Sequence, residues 1–136
     1  MKVKLCGFTM VPTKGSEFSA GIDVYSPESF ELNPGETKRI PLAIAIEIEK
    51  DEVAIMSERS SMGKNGITSI GNIIDADYRG EISIVLQNNG KETQTYEQFT
   101  RIGQIVVCKL GNNKVELVEA LSETTRGDGG FGSSGK

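Results

Sequence analysis

The chain has 136 residues, a formal net charge of −4 and no histidine. Its length fits one domain with a hydrophobic core, and its acidity disfavours a protein that attracts nucleic acid by general electrostatics. The lack of histidine excludes Ser-His-Asp catalysis, Cys-His catalysis and His-ligated metal sites. A carboxylate is therefore the expected base near neutral pH, and Mg²⁺ with oxygen ligands is the expected metal.

The N-terminal stretch MKVKLCGFTMVP lacks the features of a secretory signal peptide, because Lys4 and Gly7 interrupt its apolar residues. No window of the sequence approaches the roughly 20 apolar residues of a membrane helix. We therefore expect no membrane association, and a location in the cytoplasm or, in a eukaryotic host, the nucleus.

Short stretches of strand type, separated by turn residues, occupy most of the chain. They are KVKLC (2–6), ESFEL (28–32), TKRIPLAIAIEI (37–48), EVAIMS (52–57), GITSIGNII (66–74), EISIVLQN (81–88), TQTYEQF (93–99), IGQIVVCKL (102–110) and KVELVEAL (114–121). The best helix candidate, SSMGKNGI, carries two glycines, which favour no more than a short turn. Short strands at regular spacing predict an all-β barrel or sandwich.

Five segments concentrate Asp, Arg, Ser, Gly and an aromatic residue, and we predict that they form turns between the strands. They are AGIDVYSP (20–27), ERSSMGKNG (58–66), NIIDADYRGEI (72–82), RIGQIVV (101–107) and RGDGGFGSSG (126–135). Their composition is not that of ordinary strand residues, so these segments are the candidates for a functional site.

The third segment predicts a tight hairpin, because Ile73 and Ile74 lead into Asp75 and then into Asp77-Tyr78-Arg79-Gly80. The backbone of a hairpin offers alternating donors and acceptors, which are able to recognise a planar ring such as a pyrimidine base. Tyr78 is placed to close one side of such a site. The alternative is a polar turn whose tyrosine packs on the barrel.

The second segment places Arg59, Ser60 and Ser61 in a row at a strand end. Arginine offers a rigid fork of donors that matches phosphate oxygens, and the serine hydroxyls with nearby backbone N–H groups add further donors. The alternative is a solvated strand end in which the serines act as caps.

The C-terminal residues 127–136 include five glycines and one phenylalanine, which predicts a flexible tail. GFGSSGK (130–136) matches the phosphate-loop pattern, but the sequence lacks the parallel strand and helix that such a loop requires. We expect instead a tail that folds over a bound ligand, with Arg126 on a phosphate and Phe131 on a flat ring. The alternative is a disordered C-terminus.

In this order, over residues 20–135, the five segments resemble the five motifs of the trimeric deoxyuridine triphosphatases (dUTPases). The third and fifth segments are the most specific. The resemblance implies an all-β fold, a distorted jelly-roll β-barrel over residues 1–122, with a flexible C-terminal arm over residues 123–136. It also implies a homotrimer whose active sites draw motifs from more than one chain and are closed by an arm.

The implied reaction is the hydrolysis of dUTP to dUMP and pyrophosphate by Mg²⁺-assisted attack of water on the α-phosphorus. Such an enzyme keeps uracil out of DNA and supplies dUMP for thymidylate synthesis. The resemblance implies dUTP and two further copies of the chain as partners, with no membrane and no direct nucleic-acid binding.

The resemblance also assigns roles to individual residues. Asp75 resembles the catalytic carboxylate that deprotonates the attacking water, and Asp23 resembles a catalytic aspartate that organises the metal indirectly, through water. Mg²⁺ is expected to be held mainly by the substrate phosphates. Tyr78 resembles the tyrosine beneath the deoxyribose, and Asn72 lies on the hairpin that reads uracil through its backbone.

The remaining matches concern the phosphates and the arm. The residues that resemble phosphate contacts are Arg59, Ser60, Ser61 and Gln104. The residues that resemble the arm's contacts are Arg126 on the γ-phosphate, Phe131 stacked on uracil, and Gly132 and Ser133 as further close contacts.

The sequence departs from the family pattern at several positions. Glu58 replaces the proline that usually precedes the Arg-Ser pair, and Asn72 replaces a glycine, so that its side chain is expected either to bond the base or to crowd it. Phe99-Thr100 replaces Gly-Asp/Glu, which predicts a differently built turn. Gly103 replaces an alanine.

Two alternatives remain from the sequence. A deoxycytidine triphosphate deaminase shares the implied fold, but its chemistry needs a glutamate base where this chain has Val85. The other is a non-catalytic dUTP-sensing or partner-binding module on the same scaffold.

Overall fold

The computed structural model describes residues 1–111 and 114–130, and its regular structure is almost entirely β-strand. The strands in these ranges are β1 (Lys2–Leu5), β2 (Thr13–Lys14), β3 (Ile22–Tyr25), β4 (Phe30–Leu32), β5 (Thr37–Pro41), β6 (Ile44–Glu47), β7 (Glu52–Ser57), β8 (Ile67–Ile70), β9 (Ile73–Ile74), β10 (Ser83–Asn88), β11 (Gln94–Tyr96) and β12 (Arg101–Lys109). The helix α1 (Ser60–Lys64) is five residues long, as expected for no more than a short turn. Within the described ranges, no helix has the length and apolar character needed to cross a membrane.

Antiparallel pairing arranges the strands in four sheets. The largest has the order β2-β3-β12-β7-β9 and the next has the order β5-β10-β8, while β1 pairs with β6 and β11 pairs with β4. Strand β12 is central in the large sheet and holds β3 on one side and β7 on the other. The all-β, jelly-roll-type prediction is confirmed, although the strands of the described residues form separate sheets and not one closed barrel.

Alternation along the strands gives the sheets a common apolar core. In β10 the side chains of Ile84, Leu86 and Asn88 are buried, and the residues between them are half-buried. Burial of a large apolar side chain contributes about 1.5–3 kcal/mol. Asn88 is tolerated in the core because its amide donates to the backbone carbonyls of Leu32 (2.9 Å) and Glu92 (2.8 Å).

Two of the predicted strands are each divided by a residue with positive φ. The predicted strand 37–48 becomes β5 and β6, separated at Ala43 (φ 54°), and the predicted strand 66–74 becomes β8 and β9, separated at Gly71 (φ 66°). The Ala43 N–H donates to the Glu81 carboxylate at 2.8 Å, so hydrogen bonding holds the first break. Ala43 is apolar and continues the sequence pattern, so the pattern does not reveal this break.

Three further predictions are wrong. The segments AGIDVYSP and RIGQIVV, both predicted as turns, contain β3 and lie within β12 respectively, and the pairing of β3 with β12 buries Asp23. The predicted strand at 114–121 forms no strand in the described part of the chain, and Val115, Leu117 and Leu121 are 100%, 99% and 87% exposed. A strand needs a neighbour for its backbone groups, and the described residues of one chain supply none at this point.

Candidate functional site

The third polar segment forms a tight turn directly after β9, but the predicted hairpin is wrong, because β9 pairs with β7 whereas β10 pairs with β5 and β8 in another sheet. The Tyr78 N–H donates to the carbonyl of Asp75 at 3.1 Å, and the Arg79 guanidinium donates to two carbonyls of the turn at 2.6 and 3.0 Å. The Tyr78 hydroxyl donates to the Glu81 carbonyl at 3.1 Å. Gly80 is required here, because a Cβ at that position would lie 2.5 Å from the Tyr78 hydroxyl oxygen. The turn is therefore held in one conformation with Asp75 at its start.

This turn forms one wall of a cavity of about 270 Å³, which we name the hairpin cavity. It is lined by Arg39, Gly71, Ile73, Ile74, Asp75, Tyr78, Glu81, Ile82, Ser83 and Val85. Asp75 and Tyr78 are thus brought together. Arg39, which donates to Ser83 Oγ at 3.1 Å, joins them although no signal in the sequence of β5 predicts it. Val85 presents an apolar side chain at the position where a deaminase would need its glutamate.

A second cluster of predicted residues forms around Asp23, which is 8% exposed. One carboxylate oxygen of Asp23 lies 3.2 Å from Nε of Arg59, and the other lies 3.2 Å from Nη1 of Arg101. The pairing of β3 with β12 places Asp23 directly opposite Gln104. One carboxylate therefore orients two guanidinium groups, which leaves an excess of positive charge at the surface beside it.

These groups line a cavity of about 340 Å³, which we name the arginine cavity. Its lining consists of Gly15, Ser19, Ala20, Gly21, Asp23, Arg59, Ser60, Arg101 and Gln104. Two guanidiniums, two hydroxyls and an amide in one cavity form a donor set suited to phosphate oxygens. Arg101 was not among the predicted site residues, although it is the first residue of the RIGQ motif.

Gly21 makes room for the side chain of Gln104. A Cβ at Gly21 would overlap the Gln104 amide oxygen, so only glycine fits beneath that side chain. The Gln104 amide nitrogen donates to the backbone carbonyl of Glu58 at 3.1 Å, which ties β12 to the residue before Arg59.

Two predicted residues line neither cavity. Ser61 is exposed on α1, immediately after the cavity residue Ser60. The Nδ2 of Asn72 donates to the Ser69 carbonyl at 3.2 Å, and Asn72 does not line the hairpin cavity although its neighbours Gly71 and Ile73 do. The expectation that the Asn72 side chain bonds the base or crowds it stays a prediction.

The departures from the motif pattern have local physical explanations. Phe99 has φ 62°, a conformation that glycine adopts freely, and its ring packs edge-on against Phe8 with the centroids 5.3 Å apart. At Gly103 a Cβ would lie 2.5 Å from Ile84 Cδ1, so the core fits closely around a residue without a side chain. Hydrogen bonds from the Ser69 hydroxyl and N–H lower the pKa of the Glu58 carboxyl against the opposing effect of burial.

None of the described residues 114–130 lines either cavity. Arg126 is exposed, and its Nε donates to the carbonyl of Gly129 in the same segment at 2.7 Å. Phe131, Gly132 and Ser133 lie outside the described residues. Over residues 1–111 and 114–130, no group of three or more Asp, Glu or Cys side chains is placed to hold a metal ion.

The hairpin cavity and the arginine cavity have no lining residue in common. Asp75 and Tyr78 therefore belong to one cavity of the chain, while Asp23, Arg59, Ser60 and Gln104 belong to another.

Comparison with known proteins follows the same motifs. A family model described as dUTPase matches residues 9–135. The deoxyuridine 5'-triphosphate nucleotidohydrolase of Escherichia phage T5 is 37% identical over 145 aligned residues, covering 99% of this chain and 98% of the relative. That of Clostridium novyi (strain NT) is 42% identical over 129 residues, covering 93% and 91%.

Solved structures share the fold. The dUTPase of Staphylococcus bacteriophage 80alpha with dUPNHPP superposes with a TM-score of 0.93 at 25% sequence identity, covering 99% of this chain and 98% of that chain.

Proposed function

The chain belongs to the dUTPase family and hydrolyses dUTP, and we propose that its two cavities bind opposite ends of this substrate. The hairpin cavity takes the uracil and deoxyribose, and the arginine cavity takes the triphosphate. The observation that carries this proposal is the division of chemistry between them. The first cavity has the backbone of a turn, a tyrosine, two carboxylates and one guanidinium, while the second has two guanidiniums, two hydroxyls and an amide around one carboxylate.

At the base end, the backbone of the turn that follows β9 pairs with uracil and rejects cytosine, whose donor pattern is reversed. Tyr78 lies beneath the deoxyribose and leaves no room for a ribose hydroxyl. Asp75 takes a proton from the water that attacks the α-phosphorus, which yields dUMP and pyrophosphate. The position of Asp75 on the wall of the hairpin cavity supports this role.

At the phosphate end, Arg59, Arg101, Ser60 and Gln104 hold the oxygens of the triphosphate. Ser61 contributes its backbone N–H from the start of α1. Asp23 acts chiefly by holding the two arginines, and both of its oxygens are engaged in that task. Removal of a buried partner from such a pair leaves charges uncompensated, so this arrangement depends on Asp23.

The residues present fit a Mg²⁺ ion that travels with the substrate. The described residues offer no cluster of carboxylates to hold the ion, and the Asp23 oxygens lie against guanidiniums, so the phosphates and water are the expected ligands. Asp23 reaches the ion only through water. When bound, Mg²⁺ offsets charge on the triphosphate.

We propose that the complete site is shared between copies of the chain in a homotrimer. Two observations support this: the two cavities share no lining residue, and apolar side chains at 114–121 stand exposed in the single chain. The arm, residues 123–136, closes over a site, with Arg126 on the γ-phosphate, Phe131 on the uracil ring, and Gly132 and Ser133 in close contact.

In the cell this reaction keeps uracil out of DNA and supplies dUMP, and a cytoplasmic or nuclear location remains a prediction.

Pyrophosphate release with Mg²⁺ tests the substrate assignment when dUTP, dCTP, dTTP and UTP are compared at equal concentration. We expect turnover of dUTP alone. Equal turnover of dCTP or UTP would contradict selection by the hairpin and by Tyr78. Binding of dUTP without turnover would instead favour the sensing module, which the family assignment does not favour.

Mixing two inactive variants tests the shared site. Asp75→Asn disables the hairpin half and Arg59→Ala disables the phosphate half, while each chain keeps the other half intact. After unfolding and refolding together at equal amounts, about a quarter of the sites combine two intact halves in a symmetric ring. Activity that stays at the level of the separate variants would place both halves in one chain.

A further inference from the structure

Two departures from the dUTPase motifs, Glu58 and Asn72, meet at a single residue. Ser69 donates its N–H and its hydroxyl to one carboxylate oxygen of Glu58, at 3.1 and 2.5 Å, and its hydroxyl oxygen accepts the Glu58 N–H at 3.2 Å. The Ser69 carbonyl accepts Nδ2 of Asn72 at 3.2 Å. We name the three residues Glu58, Ser69 and Asn72 the Ser69 clasp.

Glu58 does what a proline at this position cannot do. Proline restricts φ but has no N–H to donate and no side-chain acceptor. Glu58 uses both groups on Ser69, so the end of β7 is attached to β8 by three hydrogen bonds, two of which involve a carboxylate. Hydrogen bonds to an ionised group are stronger than those between neutral groups.

The attachment lies next to the phosphate-binding residues. Glu58 directly precedes Arg59 and Ser60, and its backbone carbonyl accepts the Gln104 amide at 3.1 Å. Three residues of the arginine cavity are therefore linked to Glu58. Arg59 is the next residue in the chain, Ser60 is the one after it, and Gln104 is linked by the hydrogen bond. We expect a movement of Glu58 to displace all three.

Asn72 extends the attachment to the bend before the hairpin. Its carbonyl accepts the Met56 N–H at 2.8 Å, which fixes the bend to β7. Its Oδ1 is buried without a hydrogen-bond partner among the described residues, which is unfavourable for stability. Stability alone does not explain a side chain that buries an unpaired acceptor. An asparagine that donates its Nδ2 to the Ser69 carbonyl necessarily also has the Oδ1 atom that stays unpaired.

We propose that the Ser69 clasp is a positioning unit for phosphate binding, which replaces the proline and glycine that the family usually has at these two positions. It rests on the proposed function and names the residues that hold Arg59, Ser60 and Gln104 in place for the triphosphate. The three residues of the clasp line neither cavity.

The test compares Glu58→Ala, Ser69→Ala and Glu58→Gln with the wild type in KM and kcat for dUTP and in the inhibition constant for dUMP. Loss of the carboxylate is expected to raise KM for dUTP about tenfold, with a smaller change in kcat. The dUMP constant should stay within about twofold, because dUMP lacks the two outer phosphates. Glu58→Gln keeps a side-chain acceptor and should restore most of the affinity.

Glu36→Ala is the matched control. One oxygen of the Glu36 carboxylate accepts the N–H and the side-chain amide of Asn33, at 2.8 and 3.2 Å, in a turn away from both cavities. This variant loses a similar pair of hydrogen bonds and should leave KM unchanged. Equal KM values for the Glu58→Ala variant and the wild type, or equal weakening of dUTP and dUMP, would overturn the proposal.

Asn72→Gly tests whether the clasp acts as a unit. It is expected to raise KM about threefold alone, and to add little in combination with Glu58→Ala. If the double variant raised KM by the product of the two single effects, Glu58 and Asn72 would act independently. This result would contradict the proposal that the clasp acts as a unit. Binding of dUPNHPP, measured by calorimetry with the same variants, separates the two proposals. If the wild-type protein released no pyrophosphate, the hydrolase function would be refuted. The affinity of each variant for dUPNHPP would still show whether the clasp positions the phosphate-binding residues.

Discussion

The hairpin cavity and the arginine cavity are built in different ways. The first comes mainly from one continuous stretch, residues 71–85, with Arg39 as the one contribution from elsewhere. The second draws on residues 15–23, 59–60 and 101–104, which meet only because β3 and β7 both pair with β12. A local turn holds the groups of the first cavity, and ion pairs of two partly exposed arginines with the buried Asp23 hold the groups of the second.

This difference separates chemistry from binding. Of the two carboxylates that line the hairpin cavity, Glu81 accepts the Ala43 N–H, whereas Asp75 lies at the start of the turn, so a change at Asp75 should affect the reaction itself. In the arginine cavity the donors are linked, because Arg59 and Arg101 share Asp23 and Gln104 bonds the residue before Arg59. A change at one of these residues should therefore displace the others and lower the affinity for dUTP.

The largest expected effect is that of Asp75→Asn in the hairpin cavity. Asparagine keeps the shape of the side chain but accepts no proton, so kcat for dUTP should fall about a thousandfold while dUPNHPP still binds. Asp77→Asn, in the same turn but outside the hairpin cavity, is the control and should retain activity. Near-normal kcat in the Asp75 variant would refute its role as the base.

Asp23→Asn should have the next largest effect, through the network of the arginine cavity. Loss of the charge leaves Arg59 and Arg101 without their shared partner, and we expect kcat/KM to fall about a hundredfold with a large rise in KM. Asp51→Asn removes an exposed pair with Lys109 and should change little. If Asp23→Asn lowered kcat alone, the proposed anchoring role would be wrong.

Gly21→Ala makes a smaller and more local change in the same cavity. The added Cβ overlaps the Gln104 amide and breaks its hydrogen bond to Glu58, which should raise KM for dUTP about tenfold. In Gly63→Ala, the control, the new Cβ meets no atom within 4 Å. Unchanged KM in the Gly21 variant would show that the position of Gln104 is unimportant.

The smallest effect is expected at Phe99, in the turn that leads into β12. Phe8→Ala loses the aromatic contact with Phe99 and should lower the free energy of unfolding by about 1 kcal/mol. Phe99→Gly loses the same contact but relieves the strain of a positive φ, so it should destabilise by less than about 1 kcal/mol. Denaturant titration of both variants measures the difference, and a larger loss at Phe99 would mean that its φ is not strained.

The same contrast explains what the sequence predicted. The turn after β9 is local, so Asp75 and Tyr78 followed from a short run of residues, although the hairpin predicted there was wrong because β9 and β10 pair with other strands. The resemblance identified most of the arginine cavity from its motifs. Arg39 was missed because it enters from a strand whose pairing with β10 is not visible in its own pattern. The turn predicted around Asp23 was wrong because its polar composition hid a strand that an ion-pair network keeps buried.

The predicted strand at 114–121 failed for the opposite reason. Apolar and polar residues alternate in this segment. Such alternation indicates an apolar face that must be buried, but it does not indicate which chain buries that face. The described residues of one chain do not cover it.

If the site is shared between copies, as proposed, the enzyme would respond to its own abundance. A site assembled from halves on different copies exists only when the copies are associated, so dilution would remove sites themselves and not merely occupancy. Activity per chain would then rise with concentration up to the point where association is complete. Expression level, without any effector, would set the threshold at which dUTP removal begins.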